Sequence, residues 1–156
     1  KGLTVKFWNV YGIEKDMEKA HVITDFIRKG FEEGEFEMMT DGTEERQFLY
    51  AEDCCEALET VMENFTDFKP EDPLHITSFR STSIKEVAHI IQGCFNRIEK
   101  YDVKIKPGLA KDSVQMDKRN EADTYITSWW LPKTGIDVGI SKVFDFMEKD
   151  YVGESK

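Results

Sequence analysis

Residues 41–53 read Asp-Gly-Thr-Glu-Glu-Arg-Gln-Phe-Leu-Tyr-Ala-Glu-Asp, and three structural signals follow one another along this stretch. Asp41-Gly42 is a turn signal, and residues 47–50 form an apolar run that favours a β-strand. An amphipathic stripe of helical spacing then covers residues 54–65. A turn, a strand and a helix in this order predict one step of a mixed α/β architecture.

Arg46 lies between the turn and the strand of this stretch. At such a place a planar guanidinium can be held rigidly towards a phosphate. Arg119, in the polar stretch 111–127, is a second candidate of the same kind. Spacing alone favours a plainer interpretation, in which Arg46 forms a surface salt bridge with Glu44 or Glu45 and Arg119 is solvated.

The alternation of strands and helices continues on both sides of this stretch. Apolar runs predict strands at residues 3–8, 36–39, 74–77 and 103–105, and helical spacing predicts helices at 22–31, 84–98 and 138–147. The sequence Ser83-Ile84-Lys85-Glu86 is a capping box, which predicts that a helix begins after Ser83. No internal repeat or low-complexity tract divides the chain, so we predict one α/β domain over residues 1–156.

The charge balance excludes several classes of partner. Acidic residues outnumber basic ones 31 to 21 among 156 residues, which gives a net charge of −10. Such a surface repels nucleic acid and anionic membranes on average, and no apolar run approaches membrane-spanning length. We therefore expect no nucleic-acid partner and no membrane. The chain begins Lys1-Gly2-Leu3 without an initiator Met, which favours a processed, trimmed or excised segment.

The cysteines indicate a reducing compartment. Cys54, Cys55 and Cys94 are odd in number, and two of them are adjacent, which is a poor disulfide framework. We predict three buried thiols and a cytoplasmic location. No Cys-x-x-Cys or Cys/His cluster occurs, so we predict no metal site.

Catalytic motifs are missing from the sequence. It contains no G-x-G-x-x-G, P-loop, G-x-S-x-G or H-E-x-x-H pattern. His21, His75 and His89 are scattered, which is typical of structural histidines. Tyr11 and Lys15 match Tyr-x-x-x-Lys, but a turn rather than a helix follows Tyr11, so the match is accidental. We predict no catalytic residue in this chain.

Five segments, taken together and in order, resemble one protein family. They are residues 9–12 (Asn-Val-Tyr-Gly), 21–27, 41–53, 74–88 and 130–140. They resemble the C-terminal half of the extended short-chain dehydrogenase/reductases, the NAD-dependent nucleotide-sugar epimerase/dehydratase group. The fold implied is therefore the C-terminal half of a Rossmann-type enzyme.

The glycine-rich loop and the Tyr-x-x-x-Lys helix of that family have no counterpart here. The resemblance thus implies that NAD is bound in the full-length enzyme, mainly by the missing half, and that this chain alone binds no cofactor and is inactive. Joined to that half, it would be part of an isomerase or lyase acting on a nucleotide-diphosphate sugar. The alternative is a non-enzymatic binding or assembly module that reuses the half-fold.

The resemblance also implies roles for particular side chains. Asn9 would donate its amide hydrogen bond to a phosphate oxygen or the sugar, and Arg46 would contact the diphosphate. Arg119 would be a second phosphate arginine. Val22 would line the wall near the nucleotide, with His21 beside it.

Three structural expectations follow from the resemblance. The strands at 3–8 and 74–77 should pair in parallel at one edge of a sheet, on which the helix at 54–65 packs. Without the N-terminal half we expect an exposed apolar patch, covered by a homodimer or by the N-terminal half. We expect Asp53 to cap the helix that follows it rather than to touch substrate.

Overall fold

A computed structural model describes residues 2–16, 20–112 and 121–152 and confirms a mixed α/β architecture. Its helices are α1 (Val22–Glu33), α2 (Ala51–Glu63), α3 (Ile84–Phe95) and α4 (Ile136–Val152), with a 3-10 helix at Tyr125–Ser128. Its strands are β1 (Val5–Phe7), β2 (Val10–Tyr11), β3 (Glu35–Glu37), β4 (Glu45–Gln47), β5 (Leu49–Tyr50), β6 (Leu74–Ile76), β7 (Ser81–Ser83) and β8 (Lys104–Lys106).

The strands pair two by two, always with a partner distant in sequence. β1 pairs in parallel with β6, with Lys6 opposite His75, which confirms the predicted parallel pairing. β2 pairs in parallel with β5, and β3 with β8. β4 pairs with β7 in the antiparallel sense, with Arg46 opposite Thr82.

The apolar run at 47–50 forms two strands instead of the single one predicted. The chain divides at the buried Phe48, so that Gln47 belongs to β4 and Leu49 to β5. The division arises because the two parts have different partners, β7 and β2. This arrangement places the residues of β4 beside those that precede β2.

The predicted start of a helix after Ser83 is confirmed. The Ser83 hydroxyl accepts a hydrogen bond of 3.0 Å from the Glu86 main-chain N–H at the start of α3. Gly34 ends α1 in the left-handed conformation, with φ at 71°, where a side chain would be strained.

The prediction that Asp53 caps α2 is wrong. Tyr50 is the N-cap residue, with no side-chain cap, and Asp53 lies within the first turn. The Asp53 carboxylate is buried and accepts hydrogen bonds from the segment at residues 133–134. Asp53 therefore joins α2 to the segment that leads into α4.

The prediction of three buried thiols is right for Cys54 and Cys94 and wrong for Cys55. Successive helix residues point about 100° apart because the helix has 3.6 residues per turn. When Cys54 faces the core, Cys55 therefore faces solvent. Burial raises the pKa of both the Cys54 and the Cys94 thiols.

The core consists of two apolar clusters. In the first, α1, α3 and α4 pack around Phe31, whose ring centroid lies 4.7 Å from those of Phe95 and Tyr151 and 5.2 Å from that of Phe144. The second lies under α2, between that helix and the β1–β6 pair, and includes Leu49, Ala57, Val61, Phe68, Leu74 and Ile76.

Alanine at two helical glycines should change stability in opposite directions. A Cβ at Gly30 would lie 2.3 Å from the Phe95 ring, whereas a Cβ at Gly93 meets nothing within 4 Å. We expect Gly93→Ala to raise the free energy of unfolding by about 1 kcal/mol, since alanine is the better helix former. Gly30→Ala should lower it by about 1–3 kcal/mol through overpacking. Urea denaturation of the two variants measures both; equal shifts would contradict the close packing of α1 on α3.

Apolar side chains are exposed on both β1 and α2, while a continuous apolar patch remains a prediction. Phe7 of β1 is 52% exposed and Met62 of α2 is 74% exposed. Scattered apolar residues are normal on protein surfaces, so these side chains alone do not identify what covers them. No helix in the described ranges is long and apolar enough to cross a membrane.

Candidate functional site

One cavity of about 380 Å³ is lined by three of the predicted site residues. Asn9 reaches it from the link between β1 and β2, Val22 from the start of α1, and Arg46 from β4. Phe26 and Phe48 supply apolar wall. A concave site with an apolar lining and a few convergent polar groups is the usual form of a small-molecule site.

Strand pairing explains why Asn9 and Arg46 lie together. The Leu49 main-chain N–H donates a 3.1 Å hydrogen bond to the Asn9 carbonyl, which continues the β2–β5 ladder to the end of β4. The Asn9 side-chain amide donates to the Gln47 carbonyl at 3.5 Å. Two residues far apart in sequence thus share one cavity wall.

The Arg46 guanidinium is partly buried, with the side chain 28% exposed. Its Nη1 donates a 3.1 Å hydrogen bond to the Glu45 carbonyl, and its Nη2 forms an ion pair with Asp112. The plainer interpretation had expected an exposed salt bridge with Glu44 or Glu45. The Glu44 carboxylate instead accepts a 2.5 Å hydrogen bond from the Thr40 hydroxyl. The carboxylate that pairs with Arg46 belongs to Asp112, in the segment that follows β8.

A second cation, Lys29, also lines the cavity. Its Nζ lies 2.7 Å from an Asp25 carboxylate oxygen, and Arg28 contacts the same carboxylate at 2.8 Å. Burial raises the pKa of Asp25, but the hydrogen bonds from Lys29 and Arg28 lower it more, so the net shift is downward. Asp25 therefore stays ionised and holds the charge of Lys29 in place.

His21 is the N-cap residue of α1 and is not among the described residues that line the cavity. It is exposed, its main-chain N–H donates to a Glu14 oxygen at 3.0 Å, and its ring contacts the same carboxylate. Burial raises the pKa of Glu14, but these hydrogen bonds lower it more. Arg119 lies outside the described residues.

Sequence reasoning missed three charged residues near Arg46 and Val22. Lys29 and Asp25 stand four residues apart on α1, a spacing that places them on one helix face, so the pattern could have predicted their pairing. Asp112 gave no local signal, because only the β3–β8 pairing brings its part of the chain to Arg46.

Tyr11 has a structural role. Its side chain is buried, its hydroxyl donates to the Ile136 carbonyl at 3.4 Å, and burial raises its pKa. Tyr11 thereby attaches β2 to the start of α4, in agreement with the interpretation of the Tyr-x-x-x-Lys match as accidental. In the described part of the chain, no group of three or more His, Cys, Asp or Glu side chains is arranged to hold a metal ion.

Comparison with known proteins gives concordant results. The model of the NAD dependent epimerase/dehydratase family matches residues 1–76. A GDP-L-fucose synthase of Sinorhizobium fredii is 28% identical over 144 residues, which covers 88% of this chain but 44% of that protein. The chain thus spans less than half the length of this curated relative.

Solved structures show the same fold. A UDP-glucose 4-epimerase from Thermotoga maritima, crystallised with UDP-glucose, superposes with a TM-score of 0.70 at 20% identity, covering 94% of this chain and 45% of that one. An epimerase from Methanothermobacter thermautotrophicus gives a TM-score of 0.75 at 18% identity, covering 98% and 45%. The chain thus resembles the NAD-dependent epimerase/dehydratase family, whose model matches residues 1–76 of its 156, and it shares the fold of these solved structures.

Proposed function

We propose that this chain, residues 1–156, is the nucleotide-sugar-binding domain of an NAD-dependent epimerase/dehydratase. The observation that carries the proposal is the convergence of Asn9, Val22 and Arg46 from three elements on one cavity. The family resemblance implies a role at the nucleotide sugar for each of these residues, and the three belong to separate sequence motifs. The Thermotoga relative was crystallised with UDP-glucose, which supports a ligand of this class.

In this proposal each side chain has its own contact with the ligand. Arg46 binds the diphosphate, because a guanidinium matches phosphate oxygens with parallel donors. Asn9 donates its amide hydrogen bond to a phosphate oxygen or the sugar, and Val22 packs against the nucleotide. His21 stands beside the entrance, and Arg119 is a second phosphate arginine.

The chemistry of the reaction is proposed to lie outside this chain. NAD supplies the transient oxidation of the sugar when it is bound, but the residues present do not fit a dinucleotide. Within the described residues α1, α2 and α3 begin at His21, Tyr50 and Ser83 instead of at glycine-rich turns. The chain alone would therefore be inactive, and with its N-terminal half it would belong to an isomerase or lyase of the cytoplasm.

A binding titration tests this proposal. The purified chain is titrated with UDP, GDP and dTDP, and with the matching nucleosides, while amide and side-chain NMR signals are followed. We expect at least one diphosphate to shift the signals of Arg46 and Asn9, and its nucleoside to bind much more weakly. No shift at Arg46 with any diphosphate would contradict a nucleotide-sugar site.

The second candidate is a binding or assembly module without catalysis. The exposed Phe7 and Met62 favour it, since a partner, either a second copy or a separate N-terminal half, could cover them. The same titration distinguishes the two candidates. An assembly module binds its partner but shows no signal shift at the cavity with nucleoside diphosphates.

A further inference from the structure

Both terminal nitrogens of the Arg46 guanidinium already contact acceptors inside the protein. The Nη1 group donates to the Glu45 carbonyl at 3.1 Å, and Nη2 contacts the Asp112 carboxylate. The Asp112 side chain is only 13% exposed and that of Arg46 28% exposed, so solvent screens this pair less than a surface ion pair. The guanidinium that should meet the ligand is therefore engaged by an internal anion.

The backbone holds Asp112 at this place. Residues Thr40 and Ala110 form a parallel bridge beyond the β3–β8 pair. The Gly108 N–H donates to the Thr40 carbonyl at 3.0 Å, and the Asp41 N–H donates to the Ala110 carbonyl at 2.8 Å. Asp112 thus follows a fixed segment of chain, and its contact with Arg46 is part of the fold.

The other cation of the cavity lining is engaged in the same way, since Lys29 lies 2.7 Å from Asp25. An anion that enters therefore meets two cations that each already pair with a carboxylate. A guanidinium presents the same fork to a carboxylate and to a phosphate, so the Nη2 donor facing Asp112 cannot serve both fully.

We propose that Asp112 determines the affinity and selectivity of the site by competing with phosphate for Arg46; this rests on the proposed function. Binding exchanges the Arg46–Asp112 contact for an Arg46–diphosphate contact. The diphosphate succeeds because it offers more charge and more acceptor oxygens than one carboxylate. A ligand without phosphate gains nothing from the exchange, so the competition acts on anions alone.

The test compares the wild-type chain with Asp112→Asn, which keeps the shape and removes the charge. Isothermal titration uses whichever of UDP, GDP and dTDP binds tightest, and its nucleoside. We expect Asp112→Asn to bind the diphosphate roughly tenfold more tightly, in the range of ordinary coupling energies, and the nucleoside unchanged. In an Arg46→Ala background, Asp112→Asn should leave diphosphate affinity within twofold, because the competition needs both residues.

Glu35→Gln is the matched control. It removes the same charge and breaks an ion pair with Lys106, and neither residue lines the cavity. If Glu35→Gln strengthens diphosphate binding as much as Asp112→Asn does, net charge is the cause and the inference is wrong. Unchanged or weaker binding by Asp112→Asn, with wild-type binding intact, overturns the inference alone. If neither the wild type nor Asp112→Asn binds any diphosphate, the proposed function falls together with it.

Discussion

Replacing Arg46 by alanine should raise the dissociation constant for a nucleoside diphosphate by about two orders of magnitude. Truncating one member of a partly buried charge pair costs about 2–5 kcal/mol, and each 1.4 kcal/mol is about tenfold. The Arg46 side chain is 28% exposed, and the variant loses the guanidinium that binds the diphosphate in the proposed complex. Arg46→Lys should lie in between, because it keeps the charge but loses the planar fork.

The measurement is an NMR titration with the tightest-binding diphosphate, which also covers weak binding. Arg80→Ala is the control, since Arg80 is exposed, pairs with Glu86 at 3.6 Å and lies outside the cavity lining. It removes the same charge and should change the dissociation constant by less than twofold. Binding by Arg46→Ala within twofold of the wild type would show that the diphosphate does not contact this residue.

Replacing Asp53 by alanine should lower the free energy of unfolding by about 2–4 kcal/mol, since buried hydrogen bonds to a charged group are strong and their loss leaves donors unpaired. The Asp53 carboxylate is 3% exposed and accepts hydrogen bonds from the N–H groups of Lys133 and Thr134 at 3.2 and 2.8 Å. Its other oxygen accepts from the Thr134 hydroxyl at 3.1 Å.

Two further variants serve as comparisons for Asp53→Ala. Asp53→Asn can still accept from both N–H groups and donate to the Thr134 hydroxyl, so its loss should be about 1 kcal/mol. Glu52→Gln removes a neighbouring charge whose partner, Lys142, is exposed, and should change stability by less than about 0.5 kcal/mol. Urea denaturation with a constant m-value measures all three; an Asp53→Ala loss no larger than that of Glu52→Gln would contradict the link to residues 133–134.

The features predicted well from the sequence are those that depend on neighbours along the chain. Helical spacing located the core faces of the four described α-helices, and the Ser83 capping box gave the start of α3. These signals are local, because a helix satisfies its hydrogen bonds within a few residues. The run at 47–50 was wrongly predicted as a single strand, since the division into strands depends on partners that sequence alone does not specify.

The residues of the site could be predicted only where a family motif implies a role for a particular residue. Asn9, Val22 and Arg46 were named by motif and line one cavity, whereas His21 stands one residue outside α1 and contacts Glu14. The partners of the charged groups were not predictable. Asp112 reaches Arg46, and residues 133–134 reach Asp53, only through the tertiary fold.

The two-by-two strand pairing also governs how the chain reaches its native state. Lys6 pairs with His75 and Phe36 pairs with Ile105, so each strand's partner is distant in sequence. No described strand pair can therefore form as a local hairpin. Folding rates fall as contacts become more distant in sequence, because loop-closure entropy is lost before the contact forms. During synthesis, Arg46 leaves the ribosome before Asp112, so their ion pair can form only after residue 112 has been made. The electrostatics of the cavity is therefore completed late in folding.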